Sequence, residues 1–316
     1  MMNLKKIISI FSLAFILVLA GCGAQMTSEK TAQNPEYIAS DATGAKIELD
    51  AKPKKIVSLI PSNTEILYRL GVGENVVGVT SSDDYPAEVK NVPIVATTEI
   101  NVEKIIGMKP DLVLGHASMM SYNKDAYDQI KKANIPLFVV ADAQDFDAAY
   151  KTFTQIGDLT GKTKEAEKLI SSMKATDKSS RKEAAKKVQT KAKVWLEISP
   201  DLYTAGKDTF INEMLTNIEA TNIVSETGYP QYSEEQVIKA APDVIITIYP
   251  NAKQEIAKRS AWKNIPAVKN NRIYEVDPSI VSRPGPRLIE GQEALFNAIY
   301  PTNRYILNET IADFSF

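Results

Sequence analysis

The sequence predicts an α/β chain of two lobes, each built on a mainly parallel sheet, with one long helix between them. Three observations carry this. Short β-branched runs alternate with stretches of helical spacing, the pattern of parallel strands covered by helices. A helix-turn-strand segment recurs without a gap in the second half of the chain. Between the two copies, residues 162–189 contain no Pro or Gly.

The N-terminus reads as a secretory signal: Lys5 and Lys6, an apolar run from Ile7 to Leu19, then Ala20-Gly21-Cys22. A run of about 13 residues makes roughly 20 Å of helix, short of the ~20 residues a membrane span needs. Leu19-Ala20-Gly21-Cys22 resembles a bacterial lipobox, which makes 1–21 the signal peptide and Cys22 the acylated first residue of the mature chain. An incidental cysteine is the alternative. Cys22 is the only cysteine, so no intramolecular disulfide is available. Residues 22–36 are small and polar and read as a flexible tether. The remaining ~280 residues exceed the usual reach of one hydrophobic core. The expected division is a first lobe at 37–161, a linking helix at 162–190 and a second lobe at 191–316. With 37 basic against 39 acidic residues, charge gives no case for nucleic acid.

In chain order, Tyr37 to Leu49 holds two strand-like runs around an Asp-Gly turn, a small hairpin. Lys55 to Ile60 is a β-branched strand. It ends at Pro61-Ser62-Asn63-Thr64-Glu65, and Ile66, Leu67 and Leu70 then follow at helical spacing, which reads as strand, cap and helix. Val76–Thr80, Asp111–Leu114 and Leu137–Val140 read as buried strands. Ala166, Leu169, Ile170 and Met173 mark one apolar face of the long Lys-rich helix, and the pattern restarts at Val194–Ile198. The repeat lays Asn101–Leu114 on Ser233–Ile246. Each copy offers an N-cap, an acid at the second helical position (Glu103, Glu235), an apolar pair, a Pro-Asp turn and a strand.

Nearly the whole mature chain resembles the helix-linked ABC-importer solute-binding lipoproteins, which take up cobalamin, ferric siderophores and haem. It is most similar to the cobalamin-binding members. The resemblance rests on Leu59–Glu65, Gly78–Pro86, Tyr203-Thr204-Ala205-Gly206-Lys207 and Arg283-Pro284-Gly285-Pro286-Arg287. It implies a ligand cleft between the lobes, largely preformed because a single helical link offers few hinges. The implied ligand is cobalamin or a related corrinoid, with a ferric siderophore or haem as the alternative. The implied partner is an ABC permease dimer with its ATPase subunits, and the implied location is outside the cytoplasm, lipid-anchored to the membrane of a Gram-positive cell.

The same resemblance carries ligand contacts onto Ser82, Thr97, His116, Tyr203, Tyr229 and Arg283. Ser82, Thr97 and His116 stand where relatives have aromatic residues. A corrin has broad apolar faces and an amide rim, which aromatic walls and polar side chains suit. Each residue also has a plainer reading: the tyrosines as ordinary surface residues, Arg283 as partner of a carboxylate, Ser82 as part of a turn with Asp83. His116, the single histidine, could be an axial metal donor or a hydrogen-bonded cleft residue. Glu103 and Glu235 match the acids that meet permease arginines, although the helix dipole also stabilises an acid in a first turn. One histidine is too few for a dedicated metal site. No nucleophile–base pair or phosphate loop points to an enzyme, and no cofactor is expected beyond the transported ligand.

Overall fold

The computed structural model describes residues 36–303. The signal peptide 1–21, the lipidation residue Cys22, nearly all of the tether and the residues after 303 lie outside the described residues. Among the described residues, no helix is long and apolar enough to cross a membrane.

The chain opens with the expected hairpin, β1 (Tyr37–Ser40) antiparallel to β2 (Lys46–Leu49). Asp41 closes its turn by accepting from the Thr43 and Ala45 N–H groups at 2.8 and 3.0 Å. It also takes the Val139 N–H at 3.2 Å, which stitches the hairpin to the first sheet. That sheet is fully parallel: β3 (Ile56–Ser58), β4 (Val76–Thr80), β5 (Ile94–Ala96), β6 (Leu112–His116) and β7 (Leu137–Val140), in the order β5-β4-β3-β6-β7. The second sheet, also parallel, contains β8 (Lys193–Glu197), β9 (Thr221–Asn222), β10 (Val244–Thr247) and β11 (Ile273–Glu275), in the order β11-β10-β8-β9. In both sheets the first strand is internal: β4 and β5 lie on one side of β3 with β6 and β7 on the other, and β9 lies on one side of β8 with β10 and β11 on the other. The chain therefore reverses direction beside β3 and beside β8, and the carboxyl ends of the strands there open a crevice suited to ligand.

The first half also carries helices α1 (Pro61–Arg69), α2 (Val102–Met108), α3 (Met120–Lys132) and α4 (Phe146–Thr160). The link is α5 (Thr163–Lys187), and α6 (Phe210–Asn217), α7 (Glu234–Ala240), α8 (Ala252–Lys258), α9 (Pro266–Lys269), α10 (Pro278–Val281) and α11 (Leu288–Ile299) follow. Gly161, at φ 66, caps α4 in the left-handed conformation and lets the chain turn straight into α5. The 25 residues of α5 span about 38 Å.

Strand alternation sorts the core into layers. Ile56, Leu112, Leu114, Phe138 and Val140 join Val194, Leu196, Val244 and Ile246 in one apolar cluster that passes through Ala166, Leu169 and Met173 of α5. The opposite faces bury separate clusters, Val57, Val113, Leu137 and Val139 in the first lobe and Trp195, Ile245 and Trp262 in the second. Both faces of each sheet are thus covered, which is why the strands read as continuous apolar runs. Sharing one cluster with both sheets fixes α5 as a strut.

The repeat extends to hydrogen-bond detail. Asn101 and Ser233 cap α2 and α7, and both helices end in a left-handed residue, Lys109 at φ 51 and Ala241 at φ 48. The following aspartates then clip the start of the neighbouring first strand of each sheet the same way: Asp111 accepts from Lys55 N–H at 2.9 Å and Asp243 from Lys193 N–H at 2.9 Å. The Lys55 and Lys193 ammonium groups turn back to the carbonyls of Met108 (3.4 Å) and Ala240 (3.0 Å). The two lobes share one building plan.

Candidate functional site

The first-lobe ligand contacts expected from the resemblance all come from carboxyl ends of strands. Ser82 follows β4 and is exposed, and its turn is closed by Asp83, which accepts from the Thr80 N–H and hydroxyl at 2.8 and 2.6 Å. Thr97 follows β5 and is also exposed, its N–H donating to the Glu99 carbonyl at 3.0 Å. His116 is the last residue of β6, which runs two residues beyond Leu114, and is only 3% exposed.

The His116 ring is tied down. Its Nδ1 lies 2.8 Å from the Ser118 hydroxyl and accepts from the Ser118 N–H at 3.3 Å, capping a short turn. In the neutral ring that acceptor role leaves the proton on Nε2. Burial pushes the pKa below the ordinary histidine value, against the pull of the Asp142 carboxylate. An imidazole held this way is fixed in place, and an axial metal bond through Nε2 would require it to exchange tautomers and give up the Ser118 cap. Among the described residues, no group of three or more His, Cys, Asp or Glu could hold a metal ion.

The second lobe presents its aromatics from a two-stranded ladder. The Thr204 N–H donates to the Pro230 carbonyl at 3.0 Å and the Gly206 N–H to the Gly228 carbonyl at 2.8 Å, while Tyr203 bridges to Gln231. This pairing puts Tyr203 and Tyr229 on adjoining loops, 44% and 43% exposed. Gly206 makes the ladder possible, since a Cβ there would come within 2.0 Å of the Glu226 carbonyl oxygen. Burial and the charge of Asp142 on the first lobe push the Tyr229 phenol up to about 12, so it stays protonated and can donate a hydrogen bond. Below these loops, Glu197 is fully buried and accepts from Trp195 Nε1 (2.9 Å), both terminal nitrogens of Arg259 (2.8 Å each) and the Tyr249 hydroxyl. Those groups hold the floor of the lobe.

Arg283 takes the carboxylate-paired arrangement, and its partners belong to the first lobe. Its Nη1 donates to Glu65 at 3.0 Å and to Asp84, and its Nη2 to the Ser82 carbonyl at 3.2 Å. Arg287 forks onto the same Glu65 through Nε and Nη2 at 2.9 and 2.7 Å and stacks over Tyr85, 4.1 Å from the ring centre. The Ser279 hydroxyl adds a 3.1 Å bond to Asp84. Burial pushes the Asp84 carboxyl up, but Arg283 and Ser279 outweigh it and hold it below its ordinary value. The Glu65 side chain is 1% exposed, those of Arg283 and Arg287 17% and 11%, and that of Asp84 54%. The result is a clasp between the lobes.

A second polar strap runs along α5. Glu213 of α6 accepts the Phe146 N–H at the start of α4 (2.9 Å) and pairs with Arg181 (3.3 Å). Arg181 and Gln292 both reach Asp177, at 2.7 and 3.0 Å, and Asn217 holds Gln292 at 2.9 Å. Sequence reading offered a carboxylate partner for Arg283 but identified neither that partner nor the second network, because the paired residues lie up to 222 positions apart. The available signal was the acids of two quoted motifs, Glu65 in one and Asp83-Asp84 in the other, set against the two arginines of a third, Arg283 and Arg287. Asp142, just beyond β7, was missed too. Glu103 and Glu235 are exposed, each second in its helix and at matching positions of the repeat.

Residues 56–280 match the family model described as "Periplasmic binding protein". An ABC transporter substrate-binding lipoprotein of Bacillus subtilis, YvrC, itself uncharacterized, is 46% identical over 294 residues, covering 90% of this chain and 94% of the relative. A cobalamin-binding protein of Halobacterium salinarum is 26% identical over 275 residues, 83% of this chain and 73% of the relative. The crystal structure of "a possible" iron-binding (periplasmic solute-binding) protein from Staphylococcus epidermidis superposes with a TM-score of 0.71 at 41% identity, covering 79% of this chain and 100% of that one. With its two parallel-sheet lobes and single long linking helix, the chain belongs to the periplasmic binding protein family, as a substrate-binding component of ABC transporters.

Proposed function

We propose that this chain captures a corrinoid, cobalamin or a close relative, in the groove between its lobes and hands it to an ABC permease outside the cytoplasm. The observation that carries the reading is the chemistry of the groove rim. Tyr203 and Tyr229 are half-exposed, Ser82 and Thr97 are polar and exposed, and the arginines of the 283–287 segment are matched by carboxylates. Aromatic area with hydrogen-bonding groups and little net charge suits a ligand with apolar faces and a rim of neutral amides. In this reading Arg283 lies at the groove's edge as a charge-balanced donor, and His116 packs as a neutral wall. The name of the Halobacterium relative points the same way. Two interlobe straps besides α5 favour a preformed groove and low reorganisation cost.

Cys22 then carries the lipid that keeps the protein at the membrane, and Glu103 and Glu235 are the acids offered to the permease dimer, one per lobe. The chain carries its ligand without transforming it. A second reading, an iron complex such as a ferric siderophore or haem, is favoured by the name of the Staphylococcus structure. An anionic chelate would need cationic partners, and Arg283 and Arg287 are already engaged. Calorimetric titration with cyanocobalamin, haem and ferric siderophores tests the choice. The corrinoid should bind most tightly, and tight binding of the iron complexes alone would overturn the ligand assignment.

A further inference from the structure

We infer that Glu65 and Asp84 set the charge selectivity of the groove by cancelling Arg283 and Arg287. This rests on the reading above that the groove accepts a bulky ligand with a neutral rim. Arg283 and Arg287 lie four residues apart in the loop that leads into α11, at the junction of the lobes. Left alone, two guanidiniums there would suit the carboxylates of haem or an anionic ferric chelate, because the planar fork pairs with such groups in bidentate fashion. Glu65 and Asp84 pair directly with both guanidiniums, and Asp83 and Glu290 lie within electrostatic reach of Arg283 and Arg287, so neither positive charge is left uncompensated.

The two acids are not equivalent. Glu65 is enclosed, held by both arginines, and its Arg287 partner is covered by Tyr85. Asp84 has a half-exposed side chain and grips Arg283, which also touches the Ser82 carbonyl at the groove rim. Asp84 is therefore the half of the clasp that an incoming ligand senses, and Arg283 is the cation it screens. The enclosed Glu65–Arg287 fork supplies mechanical attachment, so Asp84 can be changed without undoing it.

A purely mechanical clasp and a charge-cancelling one make opposite predictions. Loosening a brace weakens every ligand, whereas unmasking a cation separates ligands by charge. The test titrates the full-length protein and its Asp84→Asn and Asp84→Ala variants with three probes: cyanocobalamin, haem and a triply anionic ferric tris-catecholate, at low and high salt. Both variants should bind the two anionic probes at least about tenfold more tightly at low salt, a difference of ~1.4 kcal/mol. The gain should shrink at high salt, where an exposed charge is screened. Affinity for cyanocobalamin should move by less than about threefold, or ~0.7 kcal/mol. Adding Arg283→Gln to Asp84→Asn should remove the gain. Equal weakening of all three probes, or an unchanged ratio of anionic to neutral affinity, would overturn the inference. Failure of the wild-type chain to bind any corrinoid would strike the ligand assignment instead, and the charge-dependent shift in the Asp84 variants would still decide this one.

Discussion

Replacing Glu65 with Gln should destabilise the protein more than any other single change at the lobe junction. The substitution keeps the shape of the side chain but removes the charge that faces two guanidiniums. Glu65 is 1% exposed, and its bonds to Arg283 and Arg287 span 2.7 to 3.0 Å, so little water is at hand to take over. Removing one member of a buried pair typically costs ~3–5 kcal/mol, because the partner is left as an uncompensated buried charge. Asp84 still balances Arg283, which leaves Arg287 as the stranded group and puts the expected cost near the low end, about 3 kcal/mol. Asp84→Asn removes an acid that is 54% exposed and should cost under about 1 kcal/mol, as exposed pairs do. Equilibrium unfolding of the wild type and both variants in urea, followed by far-ultraviolet circular dichroism, gives the comparison. If Glu65→Gln cost under 1 kcal/mol, or no more than Asp84→Asn, the clasp would not hold the lobes in the way described.

Two further outcomes follow from the same geometry. Replacing Glu103 and Glu235 together with Ala should leave ligand affinity unchanged and lower importer-dependent uptake several-fold, and unchanged uptake would remove the docking role. His116 gives a pH signature that a one-histidine chain makes easy to read. Its folded-state pKa is depressed below 6.5 by burial, so the unfolded chain takes up a proton first. Stability should be complete above the ordinary histidine value and fall as pH drops from there to the folded value. The single imidazole signal in a proton NMR titration reports that value, and a midpoint at or above 6.5 would contradict the burial described.

The fold was legible where local chemistry decides it. Strand runs such as Val76–Thr80 and Leu137–Val140 are apolar because both sheet faces are covered, and the Pro-Asp repeat encodes a cap, a left-handed helix end and a clipped strand in consecutive residues. The strands it did not reveal, Ile94–Ala96, Thr221–Asn222 and Ile273–Glu275, span two or three residues and exist through pairing with a neighbour. At Pro61–Glu65 the helix begins at Pro61 itself, with no side-chain cap, because proline's fixed φ suits a first helical position. Asn63 is then drawn into the lobe to donate to the Gly115 carbonyl at 3.0 Å, and Glu65 is free to meet the arginines. On α5 the apolar face read from Ala166, Leu169 and Met173 continues into buried Asp177 and Ser180, polar residues tolerated because Arg181 and Gln292 satisfy Asp177. For the site, residue types pointed to the strand ends, but pairings across the lobes are properties of the fold. That is why Arg283 looked equally suited to ligand and to carboxylate.

The most direct test of the central claim is a competition. The purified full-length chain, mixed with equimolar cyanocobalamin, haem and a ferric siderophore and then examined by native mass spectrometry, should retain the corrinoid, one molecule per chain. Retention of haem or the iron chelate while cobalamin stays in solution would contradict it.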